Sequence, residues 1–102
     1  MKRLAIAEPA ADDLEAILDY IALDNHSAAE KVYRGIVGVA GRLPEFPSLG
    51  RPGRIPETRE LSVPNLPYLI IYQVEPELVT VLAIFHTSRD LARALRERIQ
   101  PD

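Results

Sequence analysis

The chain of 102 residues contains no cysteine, so neither a disulfide nor a thiolate metal site can be built, which suits a reducing cytosol. No apolar run approaches the roughly 18 residues that a membrane-spanning helix needs, so no membrane association is expected. The opening Met1-Lys2-Arg3-Leu4-Ala5-Ile6-Ala7 begins like a secretory signal, but Glu8, Pro9, Asp12 and Asp13 interrupt it too early. A cytoplasmic protein is therefore expected. Strong positive charge is also missing: the formal net charge is −3, which argues against coating nucleic acid by charge alone. Neither HExxH nor G-x-S-x-G occurs, and the two histidines, His26 and His86, have no clustered ligands around them. Neither a metal nor a cofactor is expected.

What is present suits a single domain spanning residues 1–102, with 47% hydrophobic and 26% charged residues in the balance of a globular protein. Leu4-Ala5-Ile6 predicts a first strand. Pro9 suits the first turn of a helix, and Asp12 and Asp13 are expected to complement its dipole there. Leu14, Ile17, Leu18 and Ile21 follow at i, i+3, i+4 and i+7, and the helix should end near Asp24-Asn25. Ser27 and Glu30 have the spacing of a capping box for a second helix with Val32, Ile36, Val39, Ala40 and Leu43 on one face, stopped by Pro44. The short link through Asn25-His26 predicts an antiparallel helical hairpin. Gly35, Gly38 and Gly41 recur every three residues and are expected to line a groove where another element packs closely, since each weakens a helix by about 1 kcal/mol relative to alanine.

Six prolines between Pro44 and Pro67 exclude a long helix there. Thr58–Val63 can form a strand and Pro64-Asn65-Leu66-Pro67 a turn. Tyr68–Val74 and Leu78–Phe85 are rich in β-branched and aromatic residues and apolar on both faces, so they should be central strands with the hairpin over one side. Thr87 and Asp90 have cap-like spacing before a last helix striped by Leu91, Leu95 and Ile99. The expected fold is α+β: an N-terminal strand, a two-helix hairpin packed on a small antiparallel sheet, and a short C-terminal helix.

Ten of the twelve basic residues are arginines, and arginine contacts phosphate or carboxylate in a bidentate way that lysine does not. Arg51, Arg54 and Arg59 alternate with Glu57 and Glu60, as solvated surface charge would. His86 ends a buried strand beside a polar loop, with Arg89 three residues on. A histidine so placed can transfer protons, although bonding a neighbouring carbonyl is the commoner role. Tyr68 and Tyr72 share a strand face and could stack a base or belong to the core.

Taken in order, these pieces resemble the RelE/ParE superfamily of bacterial type II toxins, and more closely its ParE branch. The resemblance rests on Asp13-Leu14, Ile17 and Tyr20-Ile21; on Ala28-Ala29; on Leu43 through Phe46-Pro47 to Gly50-Arg51; and on Thr58-Arg59-Glu60-Leu61, Pro67-Tyr68 with Tyr72, and His86 with Arg89-Asp90. It implies a toxin neutralised by a cognate antitoxin, in a heterotetramer or larger assembly. ParE-like members poison DNA gyrase, whereas RelE-like members cut mRNA on the ribosome. Leu61-Ser62-Val63 and Leu69-Ile70-Ile71 lack the basic residues typical of the nucleases, and no tyrosine follows Tyr72. The resemblance therefore favours a gyrase poison without turnover, with Arg89, Arg93 and Arg96 on one face of the last helix, together with Arg51 and Tyr68, as target contacts. The alternative is a metal-independent ribonuclease using His86, Arg89 and Arg59. A non-toxic binding or co-repressor module is a third reading. Antitoxin contact is expected at Gly35, Gly38 and Gly41 and at an exposed sheet edge.

Overall fold

A computed structural model describes residues 1–99. The elements are β1 (Arg3–Ile6), α1 (Glu8–Ala22), α2 (His26–Ala40), β2 (Arg51–Pro52), β3 (Thr58–Ser62), β4 (Tyr68–Val74), β5 (Leu78–His86) and α3 (Leu91–Ile99). The five strands form one sheet in the order β1-β5-β4-β3-β2. Strands β3 to β5 are antiparallel neighbours as expected. The two-residue β2, which the sequence pattern did not indicate, pairs antiparallel with β3, while β1 adds to β5 in parallel and makes the sheet mixed. The α+β architecture stands.

The caps differ in detail from the sequence pattern. Asn25, not Ser27, caps α2: its side chain accepts a hydrogen bond from the Ala28 amide at 3.0 Å, the geometry an extended cap residue favours. Glu8 is the acid in the first turn of α1, and Asp13, a turn further on, is used elsewhere. Asp90 alone caps α3, accepting from the Arg93 amide at 3.1 Å. Asn65 takes a left-handed conformation (φ 64°) in the β3–β4 turn, which asparagine tolerates better than most residues.

The sheet is covered on both faces. One face packs against the hairpin through Val32, Ile36, Ala40, Tyr68, Ile70, Tyr72, Val79 and Val81. The other packs against α3 through Leu69, Ile71, Ala83, Phe85, Ala94 and Leu95. This second layer explains why β4 and β5 are apolar on both sides. The Ile99 side chain, expected to complete the α3 stripe, lies outside the described residues.

Strand β5 carries one irregularity. Tyr72 pairs with Val81 but Ile71 pairs with Ala83, so Leu82 is an extra residue, a β-bulge. The bulge reverses the alternation: Val79 and Val81 face the hairpin, whereas Ala83 and Phe85 face α3.

Candidate functional site

Strand β3 turns Arg59 and Glu60 to opposite faces. Glu60 is buried, with 3% of its surface exposed. Its Oε2 accepts from the Arg54 amide and Nε, both at 3.0 Å, and its Oε1 accepts from Arg54 at 3.2 Å and Arg51 at 3.3 Å. Burial alone would raise the carboxyl pKa, but the Arg54 amide and guanidinium, helped by Arg51, outweigh it and hold Glu60 below its ordinary value. On the other face, Arg59 donates to the Gly50 carbonyl at 2.6 Å. The buried Tyr72 hydroxyl accepts from the Gly50 amide and donates to the Pro47 carbonyl, both at 2.8 Å. A Cβ at Gly50 would stand 2.7 Å from the Glu60 carbonyl oxygen and 2.8 Å from the Tyr72 hydroxyl, so this crossing admits only glycine. These contacts clamp the loop between α2 and β3 onto the sheet.

Residues expected to reach a target are thus partly spent on structure. Arg59 is occupied, and Arg51 keeps 67% of its side chain exposed while touching Glu60. Tyr68 is no stacking platform: it is 7% exposed, because its strand face lies under the hairpin, and burial raises its pKa. Burial likewise raises that of Tyr72, against the opposing pull of the Gly50 amide and Arg59.

His86 lies opposite Tyr68 in the β4–β5 ladder, and the two rings meet edge to face with centroids 5.3 Å apart. Its Nδ1 accepts from the Ser88 amide at 3.0 Å, which assigns the proton of the neutral ring to Nε2. Arg89, expected on one helical face with Arg93 and Arg96, instead precedes α3, which begins at Leu91, and lies over the Phe85 ring, 4.8 Å from its centroid. Arg59, however, pairs with Tyr72, four residues along β4 from Tyr68, or about 14 Å at the rise of a strand. The set His86, Arg89 and Arg59 therefore does not converge as a catalytic centre would. Of the α3 arginines, Arg93 is paired with Glu97 at 3.1 Å, whereas Arg96 is exposed and belongs to no ion pair among the described residues.

Sequence reasoning missed the pairing of Asp13 with Arg98. Beyond Ile6 the edge of β5 has no β1 beside it, and the Asp13 carboxylate accepts there from the Ile84 amide at 3.0 Å. Arg98 binds both Asp13 oxygens, at 2.9 and 3.2 Å, donates to the carbonyl of the bulged Leu82 at 3.1 Å, and lies over Phe85. One ion pair thus closes the bare strand edge and ties α3 to α1. An 85-residue separation leaves no local signal for it.

The three glycines do not line one groove. A Cβ at Gly35 would meet Leu66 at 2.7 Å, so Gly35 serves internal packing; Gly38 faces open space; Gly41 is the C-cap, outside the helix. A cleft of about 560 Å³ lies instead between α1 and α2, floored by Leu4, Ile6 and the sheet and walled by Leu14, Leu18, Tyr33 and Val37. Leu4, Ile6, Tyr33 and Val37 remain 36%, 46%, 46% and 41% exposed. The signal was available: Tyr33 and Val37 widen the α2 stripe beyond the residues one sheet face can cover. Among the described residues, no cluster of potential ligands could hold a metal, and no helix is long and apolar enough to cross a membrane.

Comparison with known proteins supplies the context. The family model described as "ParE toxin of type II toxin-antitoxin system, parDE" matches residues 4–91. "Putative toxin Y4kP" of Sinorhizobium fredii is 37% identical over 82 residues, covering 80% of this chain and 84% of that protein. A chain of the chromosomal ParDE toxin–antitoxin system from P. aeruginosa superposes with a TM-score of 0.77 at 29% identity, over 84% of this chain and 96% of that one. The isolated E. coli RelE toxin shares the fold at 17% identity, with a TM-score of 0.57 over 98% of this chain and 100% of that one.

Proposed function

This chain belongs to the ParE toxin family, and from that premise we propose that it is the toxin of a pair whose cognate antitoxin seats in the hairpin cleft, and that it inhibits DNA gyrase in the cytoplasm by binding, without catalytic turnover. The observation that carries the choice of binding over cleavage is the engagement of its polar groups. RNA cleavage needs a base, an acid and phosphate-stabilising cations around one point. Here Tyr68 and Tyr72 are core, Arg54 and Arg59 hold the loop, and the His86 Nδ1 is occupied by the Ser88 amide. Exposed cationic surface persists at Arg89 in the turn before α3, at Arg93 and Arg96 on α3 and at Arg51 on β2, which favours these four as gyrase contacts. The apolar cleft and the β1 edge beside it favour capture of a partner segment, and higher assembly with the antitoxin would accompany it.

Expression of the chain alone should arrest growth, and co-expression of the small open reading frame adjacent to its gene should relieve the arrest. The purified chain should inhibit supercoiling by gyrase and trap cleaved DNA. Cleavage of ribosome-bound mRNA that disappears in His86→Ala would replace this reading with the nuclease, and normal growth with folded protein would replace it with the non-toxic module.

A further inference from the structure

The cleft has two unlike banks. On the α2 side stand Tyr33 and Val37, both uncharged, whereas on the α1 side Glu15 and Asp19 reach its rim. These two belong to a longer series. Glu8, Asp12, Glu15 and Asp19 fall at i, i+4, i+7 and i+11 of α1, one side of the helix, and all four are exposed. From Glu8 to Asp24 the sequence contains six acidic residues and no basic one. Among the described residues, none of the four ridge carboxylates belongs to an ion pair. The fifth acid of α1, Asp13, points away and is consumed by Arg98 and Ile84.

A segment entering the cleft would remove water from the rim carboxylates, which is costly unless opposite charge replaces the water. The apolar floor and the acidic bank therefore set different requirements on the two sides of one occupant. We propose that the cleft takes an antitoxin segment that is apolar where it faces Ile6, Tyr33 and Val37 and carries lysine or arginine along the flank facing α1. The ridge from Glu8 to Asp19 spans eleven helical steps, about 16 Å at the helical rise, so the basic residues are spread over that length. The ridge then acts chiefly as a specificity element: it speeds encounter with a basic segment and rejects an acidic one with the same apolar face. This deepens, and rests on, the reading of the cleft as the antitoxin seat.

The test uses the full chain and two fluorescein-labelled amphipathic peptides with the same leucine face, one with lysine and the other with glutamate on the polar face. By fluorescence anisotropy at low salt the lysine peptide should bind at least about tenfold more tightly, since several exposed pairs each contribute a few-fold. The preference should shrink at high salt and in the Glu15→Gln/Asp19→Asn double variant, whose melting temperature checks that it is folded. Val37→Arg should weaken both peptides. Equal affinities, a lysine preference that survives the double variant, binding indifferent to Val37→Arg, or no binding of either peptide would overturn the proposal. Growth arrest relieved by the adjacent reading frame is independent of the ridge. That result combined with equal peptide affinities would refute this inference and leave the toxin reading standing.

Discussion

Replacing Glu60 by glutamine should remove about 2 kcal/mol of stability and loosen the loop from Pro47 to Arg54. The carboxylate accepts four hydrogen bonds, two on each oxygen. Glutamine preserves the shape but keeps one acceptor oxygen and turns an amide N–H toward arginine donors, so two of the four bonds are lost in either orientation. A hydrogen bond to a charged group is worth about 1.5–3 kcal/mol when buried. Arg51 and Arg54 keep 67% and 38% of their side chains exposed, so water takes up much of what they lose and roughly 1 kcal/mol per bond remains. For a domain of this size, the sum corresponds to a fall in melting temperature of about 8–16 °C. Thermal unfolding followed by circular dichroism gives the magnitude, and faster exchange of the Gly50 and Arg54 amides places the damage in the loop. The pH dependence has a definite sign. Glu60 is held below its ordinary value in the folded state, so its contribution is complete above the unfolded carboxyl pKa of about 4.3 and fades as pH falls through the lower folded value. The gap between wild type and variant should be constant above about pH 5 and close in acid below about pH 4. A fall of less than about 2 °C at neutral pH, or a gap unaffected by acid, would refute the role assigned to this cluster.

Asp13→Asn should cost about 2–3 kcal/mol in chemical denaturation, because Asp13 and Arg98 are only 15% and 27% exposed and breaking the pair leaves the other charge poorly solvated. Arg98→Lys should not preserve the wild-type value, since the guanidinium fork serves both carboxylate oxygens and the Leu82 carbonyl. Among the glycines, Gly38→Ala should stabilise by about 1 kcal/mol through helix propensity alone, as nothing lies within 4 Å of the added methyl. Gly50→Ala should destabilise by more than about 2 kcal/mol, because the methyl would meet the Glu60 carbonyl oxygen at 2.7 Å; comparable melting temperatures for these two variants would refute the close packing assigned to Gly50.

The ordered arginines, Tyr68 and His86 were legible as a series along the chain, but their roles were not. Arg51, Arg54 and Arg59 read as alternating surface charge, yet two of them grip one buried carboxylate and the third holds the Gly50 carbonyl. Strand alternation placed Arg59 and Glu60 on opposite faces; what lies over each face depends on a loop returning from the end of α2. The three-residue glycine spacing pointed to a groove on α2, whereas a step of three turns each successive glycine away from the last, and only the first faces side chains from outside the helix.

Hydrophobic periodicity and β-propensity act between residues two to four positions apart, so the sequence by itself determined the hairpin, the two central strands, the last helix and their α+β order. Together with the residue series that marks the family, that reached the toxin class. Three features were decided only by tertiary structure: the parallel addition of β1, the bulge at Leu82 that turns Phe85 toward α3, and the Asp13–Arg98 pair that closes the β5 edge. The first and the third depend on contacts across most of the chain and the bulge on the register of β4 against β5. Local preference is silent on all three, and the free energy comes from satisfying backbone groups that would otherwise be left without partners. The cleft belongs with them. Its apolar residues were visible one by one, but their sharing of one cavity beside an acidic ridge is set by how α1 and α2 lie on the sheet.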